Sequence, residues 1–185
     1  MIFRLHRFTQ PANLDAQLAM RGFRKVDETQ VMVCAQMPHL KPVRLLPAGI
    51  SMQHLHSAAF AEAVGALRNS PIEHRESHAL RLLHSPVQGR GYVLRRDADG
   101  QLLAAGQYVR EGELVGLYDV ITCPNARGEG HASRLCAQLM AMAAQDGAQL
   151  AYLQVDSLNH PARHVYQSLG FADAYRYHYR EPSDA

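Results

Sequence analysis

The stretch DVITCPNARGEGHA, residues 119–132, is the end of an apolar strand, a proline turn and a glycine-spaced run that opens a helix. Gly128 and Gly130 have no Cβ, so a ligand can approach the backbone closely there. The first N–H groups of the following helix lack intrahelical partners and lie at the positive end of its dipole. This combination predicts a binding site for a phosphate or pyrophosphate. The motif Arg-x-x-Gly-x-Ala would occur by chance in roughly one chain of this length in ten, so its weight depends on the surrounding elements.

The composition indicates one ordinary globular domain with room for a modest appendage. The chain has 185 residues, of which 47% are hydrophobic and 19% charged. No apolar run reaches the roughly 18 residues that a membrane helix needs, which argues against a membrane protein. The net charge of +2 is small, and the lysine and arginine residues are scattered along the chain, which argues against nucleic acid as a partner.

The N-terminus and the cysteines bear on location. The first residues, MIFRLH, lack the charged segment and long apolar core of a signal peptide. The three cysteines, Cys34, Cys123 and Cys136, show no CxxC spacing, and reduced thiols are the simpler interpretation. These features predict a cytoplasmic protein.

The order of predicted elements indicates an α/β domain with a mixed central sheet flanked by helices. Residues 1–37 read as strand, helix, strand, with the second strand at Thr29–Ala35. From residue 43 the pattern predicts the order β-α-α-β-β-β-α-β-α-β. Its members are a strand at 43–46, a helix at 51–66 with Ser51 as N-cap, a helix at Ser70–Leu83, strands at Tyr92–Arg95, Leu102–Arg110 and Leu114–Thr122, a helix at Gly130–Gln145, a strand at Gln149–Val155, a helix at Pro161–Leu169 and a strand at Phe171–Arg180.

An internal repeat suggests how the N-terminal segment arose. Residues 11–33 and 161–180 share Pro-Ala, a helix of leucine and small residues, Gly-Phe and a closing strand. We therefore interpret residues 1–40 as a degenerate half-domain packed on a core domain of residues 41–185. The alternative is that any two strand-helix-strand units look alike.

With this order of elements, residues 43–180 resemble the GNAT superfamily of acetyl-CoA-dependent N-acetyltransferases. The acyl-CoA motif of that family, Arg/Gln-x-x-Gly-x-Gly/Ala between a strand and a helix, is matched by Arg127, Gly130 and Ala132. Its downstream motif, Asn-x-x-Ala-x-x-x-Tyr-x-x-x-Gly-Phe, is matched by Asn159, Ala162, Tyr166, Gly170 and Phe171. Two motifs in the right order on the right elements are far more specific than the loop alone.

The resemblance implies a binding site for acetyl-CoA as acyl donor. The backbone of Val120, Ile121 and Thr122 would pair with the pantetheine arm like an added strand. The loop and helix start would hold the pyrophosphate, and Asn159 and Tyr166 would lie near the thiol. The implied pyrophosphate-binding residues are Arg127, Gly128, Glu129, Gly130, His131, Ala132 and Ser133.

The resemblance also implies direct attack of a free amine on the thioester in a ternary complex. The phenol of Tyr166 would protonate the departing thiolate, and a backbone N–H, such as that of Val120, would hold the acetyl oxygen. From the residues alone, Tyr166 could instead be part of a packed aromatic cluster, and Asn159 could be only an N-cap. Gly170 and Phe171 read as a helix stop and a core residue.

The general base is left open by the sequence. Some relatives carry a glutamate where this chain has Gln154, which cannot take a proton. Asp119 is the first substitute, Glu73 and His84 are others, and a water chain could also serve.

Three further features have simpler explanations. His74 and His78 share a helix face, but no third metal ligand is evident, and a solvated or cleft-lining pair is the favoured interpretation. His131 either touches phosphate or faces solvent. Cys123 and Cys136 have no evident histidine partner that would make them nucleophiles.

The predicted function is an N-acetyltransferase acting on a small-molecule amine. Protein or peptide N-acetylation and a non-catalytic acyl-CoA-binding module are the alternatives. An exposed sheet edge or an exchanged terminal strand would favour a homodimer, and the oligomeric state is left open.

Overall fold

A computed structural model of the chain describes residues 1–37 and 45–183. The strands are β1 (Phe3–His6), β2 (Phe23–Cys34), β3 (Ile50–Leu55), β4 (Gly89–Arg96), β5 (Leu102–Glu111), β6 (Leu114–Thr122), β7 (Leu150–Asp156) and β8 (Ala172–Pro182). The helices are α1 (Leu14–Met20), α2 (Ser57–Arg68), α3 (Ile72–Leu83), α4 (His131–Gln145) and α5 (His160–Ser168). A 3-10 turn at Pro124–Ala126 follows β6. The described residues divide into two compact units, one of residues 1–33 with the chain from 153 onward, the other of residues 34–152.

The first unit surrounds β8 with strands from the N-terminus. β1 pairs antiparallel with β8, with Phe3 opposite Arg180, and β2 pairs antiparallel with its other side, with Phe23 opposite Pro182. The strand order is β1-β8-β2-β7. β7 and β8 follow each other along the chain, joined by α5, yet β2 lies between them, so the N-terminal segment is an integral part of this unit.

The second unit is an antiparallel meander in the order β3-β4-β5-β6. Helix α2 packs on one face of it, where Phe60 and Val64 form a buried cluster with Val93 and Ala105. Helix α4 packs on the opposite face. The evidence is Gly106 of β5, at which a Cβ would lie 3.3 Å from the side chain of Leu135 on α4. Neighbouring residues of β5 thus face different helices, as the alternation of a strand requires.

The predicted helix at 51–66 is wrong at its start. Ile50–Leu55 form strand β3, in which Ser51 pairs with Arg95, and helix α2 begins at Ser57. The alternation of this short strand was masked because Met52 and Leu55 continue the helical spacing of the residues after them. Ser51 is therefore not an N-cap. Of the predicted strand at 43–46, residues 43 and 44 lie outside the described residues, and residues 45 and 46 are not in a strand.

The remaining elements confirm the predicted fold class. The meander, helix α3 and the order β-α-α-β-β-β-α-β-α-β are observed, with β3 as the first strand, and the extra N-terminal strand-helix-strand unit is present. Strand β2 is longer than predicted, since it begins at Phe23. In the two described segments, no helix combines the length and the apolar character needed to cross a bilayer.

Candidate active site

The glycine-spaced loop connects β6 to the first turn of α4. Gly128 and Gly130 both have left-handed backbones, with φ of 82° and 79°, and Gly130 is the N-cap residue of α4. A Cβ at Gly128 would meet no atom within 4 Å, so backbone conformation rather than space requires glycine there. Arg127 is exposed and makes no hydrogen bond or ion pair with the residues that the structure describes. The loop thus places exposed glycines and a cationic side chain directly before a 15-residue helix.

The side chain of His131 is turned into the protein. It is 3% exposed, and its Nε2 lies 3.0 Å from Oε2 of Glu129. Because a carboxylate only accepts, Nε2 is the donor, and the neutral ring then carries its lone pair on Nδ1, which is buried without a partner. The expectation that His131 faces solvent is therefore wrong. A lone pair does not attract an anion, so His131 would serve a phosphate through its backbone N–H.

Strand β6 carries a bulge immediately before the loop. Ala105 pairs with Ile121 and Gln107 with Tyr118, so that Asp119 and Val120 together stand opposite Gly106. Asp119 has φ of 53°, in the left-handed region. For a residue other than glycine this conformation costs about 1–3 kcal/mol and persists only where the surroundings enforce it. The bulge re-aims the side chain of Asp119 and takes its backbone out of the regular ladder.

Three donors surround the carboxylate of Asp119, whose side chain is 16% exposed. Nη2 of Arg68 lies 2.9 Å from Oδ1, and Nε2 of Gln107 lies 2.8 Å from Oδ2. Nε2 of His78 lies 3.1 Å from the same Oδ2. These donors come from α2, β5 and α3, and together they stabilise an ionised carboxylate in a strained backbone.

A cleft of about 370 Å³ opens between α2 and α3 and includes Arg68 and His78 in its lining. Its other polar walls are Ser70, His74, Arg75, Ser77 and Arg81. The two helices approach closely where Arg75 crosses Gly65, at which a Cβ would lie 2.3 Å from the arginine side chain. The expectation that His74 and His78 line a cleft is confirmed, and His78 reaches Asp119 as well.

The downstream motif lies in the first unit, on and around α5. Tyr166 is 8% exposed, and its ring meets that of Phe171 edge to face, with 6.0 Å between the centroids. The side chain of Asn159 caps α5 by accepting the N–H of Ala162 at 3.1 Å. Gly170 ends the helix with φ of 93°, and Phe171 is buried, so both have the structural roles expected of them.

The other candidates for a base have different surroundings. Gln154 accepts the hydroxyl of Tyr177 at 2.5 Å. Glu73 is exposed in the first turn of α3, and His84 is exposed with Nδ1 2.9 Å from the carbonyl oxygen of Leu80. Neither contacts Asp119. Sequence reasoning missed Arg68 and Gln107 altogether, and it pointed to α3 through the spacing of His74 and His78 and through Glu73 and His84 as candidate bases.

Two of the three thiols are buried, and Cys123 is half-buried. Cys34 and Cys136 are buried, and burial raises the pKa of the Cys136 thiol to about 12. A thiol in that state is not a nucleophile near neutral pH. Within residues 1–37 and 45–183, no group of three or more histidine, cysteine and acidic side chains could hold a metal ion.

Comparisons with known proteins bear directly on this arrangement. The family model described as "Acetyltransferase (GNAT) family" matches residues 51–171, which include the bulge, the glycine loop and the downstream motif. No curated protein sequence matches the chain. Many solved structures do.

Two of these solved structures are GCN5-related N-acetyltransferases. The one from Kribbella flavida has 21% identity and a TM-score of 0.66 over 100% of this chain and 68% of its own. The one from Sphaerobacter thermophilus has 17% identity and a TM-score of 0.73 over 100% of this chain and 62% of its own. A tandem GNAT protein from the clavulanic acid biosynthesis pathway has 17% identity and a TM-score of 0.77 over 99% of this chain and 65% of its own.

These identities show a shared fold, and the chain spans about two thirds of the length of those proteins. The family itself rests on the match of the family model, which covers most of the chain and contains both sequence motifs. The chain therefore belongs to the GNAT family of acetyltransferases.

Proposed function

We propose that the protein transfers acetyl from acetyl-CoA to a primary amine of a small molecule, by direct attack in a ternary complex. The proposal rests on the order in which three structural features follow one another along β6 and the loop after it. The bulge at Asp119 is followed by half-buried Val120–Thr122 and then by the exposed residues Gly128–Gly130, the last of which is the N-cap of α4. A strand segment beside a helix N-terminus suits a ligand with an extended amide arm and a pyrophosphate.

The residues of the second unit fit the donor. Backbone groups of Val120, Ile121 and Thr122 would hold the pantetheine arm. Amides of Gly128 to Ser133, with Arg127, would hold the phosphates, and Glu129 keeps His131 turned inward. The N–H of Val120, next to the bulge, would bind the acetyl oxygen as negative charge develops there.

The cleft between α2 and α3 favours a small acceptor. Its volume of about 370 Å³ falls in the range of small-molecule pockets. Two of its lining residues, Arg68 and His78, bind the carboxylate of Asp119 on β6. Protein or peptide acetylation is the second enzymatic candidate.

The family motif assigns roles to two residues of the first unit, Tyr166 and Asn159. Tyr166 would donate its phenolic proton to the leaving sulfur. Asn159 would bind the donor through its amide nitrogen, since its amide oxygen already caps α5. These roles come from the family motif. A cytoplasmic location, a homodimer and the absence of nucleic-acid and membrane partners stay predictions.

An acceptor screen tests the proposal. Purified protein is incubated with acetyl-CoA and a panel of amino acids, polyamines, aminoglycosides and lysine-containing peptides, and free thiol is measured over time. We expect turnover with at least one small amine and little with peptides. Turnover confined to peptides would support the second candidate, and calorimetric binding of acetyl-CoA without any turnover would support a binding module.

A further inference from the structure

The proton arrangement around Asp119 follows from the chemistry of its neighbours. A carboxylate has acceptor sites only, so the ring nitrogen facing it must donate. Nε2 of His78 lies 3.1 Å from Oδ2, and it therefore carries a hydrogen. In the neutral ring the lone pair is then on Nδ1, which makes no hydrogen bond to any residue that the structure describes.

Nδ1 of His78 is also accessible. His78 is part of the lining of the cleft, and its Nδ1 is not among the buried polar atoms without a partner. An accessible nitrogen that has a lone pair and no partner is available to a solute in the cleft. Its ring is fixed from behind by a carboxylate that is itself held by Arg68 and Gln107.

The carboxylate of Asp119 is already engaged in this arrangement. Its two oxygens accept hydrogen bonds from three donors, namely Arg68, Gln107 and His78. An imidazole, by contrast, changes charge in the neutral pH range, which is the property that a general base needs. The strained backbone of Asp119 then has a purpose, since it aims the carboxylate at the histidine.

We propose that His78 is the general base of the transfer and that Asp119 is a positioning residue which fixes its tautomer and orientation. This inference rests on the proposed function. The charges facing His78 are Asp119 from β6 and Arg68 from α2, which offset each other, with His74, Arg75 and Arg81 on α3 itself. Arg75 is in turn paired with Glu62, Nη1 to Oε1 2.6 Å apart.

The step is balanced as follows. Nδ1 of His78 takes one proton from the ammonium form of the acceptor, which frees the nitrogen lone pair. That pair forms the C–N bond to the thioester carbonyl carbon, and the C–S bond breaks with its electrons going to sulfur. The second nitrogen proton passes to solvent as the amide forms, the sulfur receives a proton from Tyr166, and solvent reprotonates the Tyr166 phenolate. His78 then releases its proton to solvent, so that one proton is set free for each acetyl group transferred.

The test is the pH dependence of kcat/KM for the best amine of the screen, measured between pH 5.5 and 9. The variants are His78→Gln, Asp119→Asn and, as control, His54→Gln. His54 lies on β3 of the same unit, is exposed, and its ring contacts that of Tyr92. Asparagine tolerates the left-handed backbone as aspartate does, so Asp119→Asn keeps the bulge.

We expect His78→Gln to lower kcat/KM at pH 7 by about 10²-fold or more and to remove the rise of activity with pH that neutral His78 provides. Asp119→Asn should lower kcat/KM at pH 7 by about tenfold or more, because the carboxylate that fixes the tautomer of His78 is gone. Acetyl-CoA affinity and thermal midpoint should stay close to those of the parent protein. His54→Gln should keep the pH profile of the parent protein.

A spectroscopic readout separates a positioning role from a merely structural one. In ¹⁵N-labelled protein above pH 8, His78 should show a protonated Nε2 and an unprotonated Nδ1, and this preference should weaken in Asp119→Asn. The opposite tautomer would overturn the inference, as would an unchanged pH profile in an active His78→Gln variant. If the parent protein acetylates no amine, the proposed function fails and the base fails with it.

Discussion

Replacing Gly130 by aspartate tests whether the loop before α4 binds phosphate. At φ of 79° the residue lies where aspartate and asparagine are the best tolerated of the non-glycine residues. Two unit charges about 5 Å apart at an effective dielectric of about 20 repel each other by about 3 kcal/mol. The new Cβ would lie 3.1 Å from Nη1 of Arg134, whose charge would offset part of this repulsion. We therefore expect acetyl-CoA to bind Gly130→Asp about 10- to 100-fold more weakly than Gly130→Asn.

The asparagine variant is the matched control because it has the same shape, the same backbone requirement and the same approach to Arg134, but no charge. Calorimetry of both variants with acetyl-CoA at low salt gives the comparison, and thermal unfolding checks that both are folded. The difference should shrink at high salt, since exposed charges are screened. Equal affinities of the two variants would refute the assignment of this loop to the phosphates.

Three further predictions concern the first unit. Tyr166→Phe keeps the ring against Phe171 and should lower kcat by about 10²-fold with little change in acetyl-CoA affinity; equal turnover by variant and parent would remove Tyr166 from the mechanism. Hydrogen bonds from the Arg180 guanidinium and the His178 imidazole hold the pKa of Asp15 at about 2, below its usual 3.8. These bonds therefore stabilise the folded state above pH 4, and this stabilisation is lost as pH falls through 2. Because Asp15 is half exposed, Asp15→Asn should lower the free energy of unfolding, measured with denaturant at pH 7, by less than about 1 kcal/mol. This loss should shrink towards pH 2, and a loss that does not depend on pH would contradict the reasoning. Deleting residues 1–37 removes both strands that pair with β8 and should leave an aggregating or unfolded protein, whereas a soluble truncation with parental activity would show that β8 needs neither partner.

The sequence alone was enough for the elements whose signals are local. Strand β6 begins and ends as predicted, because alternation and a proline turn mark it, and α4 lies within one residue of its prediction. The motif residues could be assigned to the strand, the loop and the two helices, since glycines and caps act over a few residues. Local signals gave the wrong element at Ile50–Leu55, where a short strand and the following helix share apolar residues, and they put the start of β2 at Thr29 instead of Phe23.

What tertiary structure decided is which distant residues meet. The insertion of β2 between β7 and β8 depends on pairing between residues about 150 positions apart, which no local pattern encodes. The bulge in β6 is likewise a matter of register against β5, and it turns Asp119 towards Arg68, His78 and Gln107. From sequence, Asp119 was a candidate base of unknown orientation; in the fold it is an ion-paired carboxylate beside a histidine. A side chain's chemistry belongs to its residue type, but its protonation and its role are set by neighbours that only the folded chain brings together.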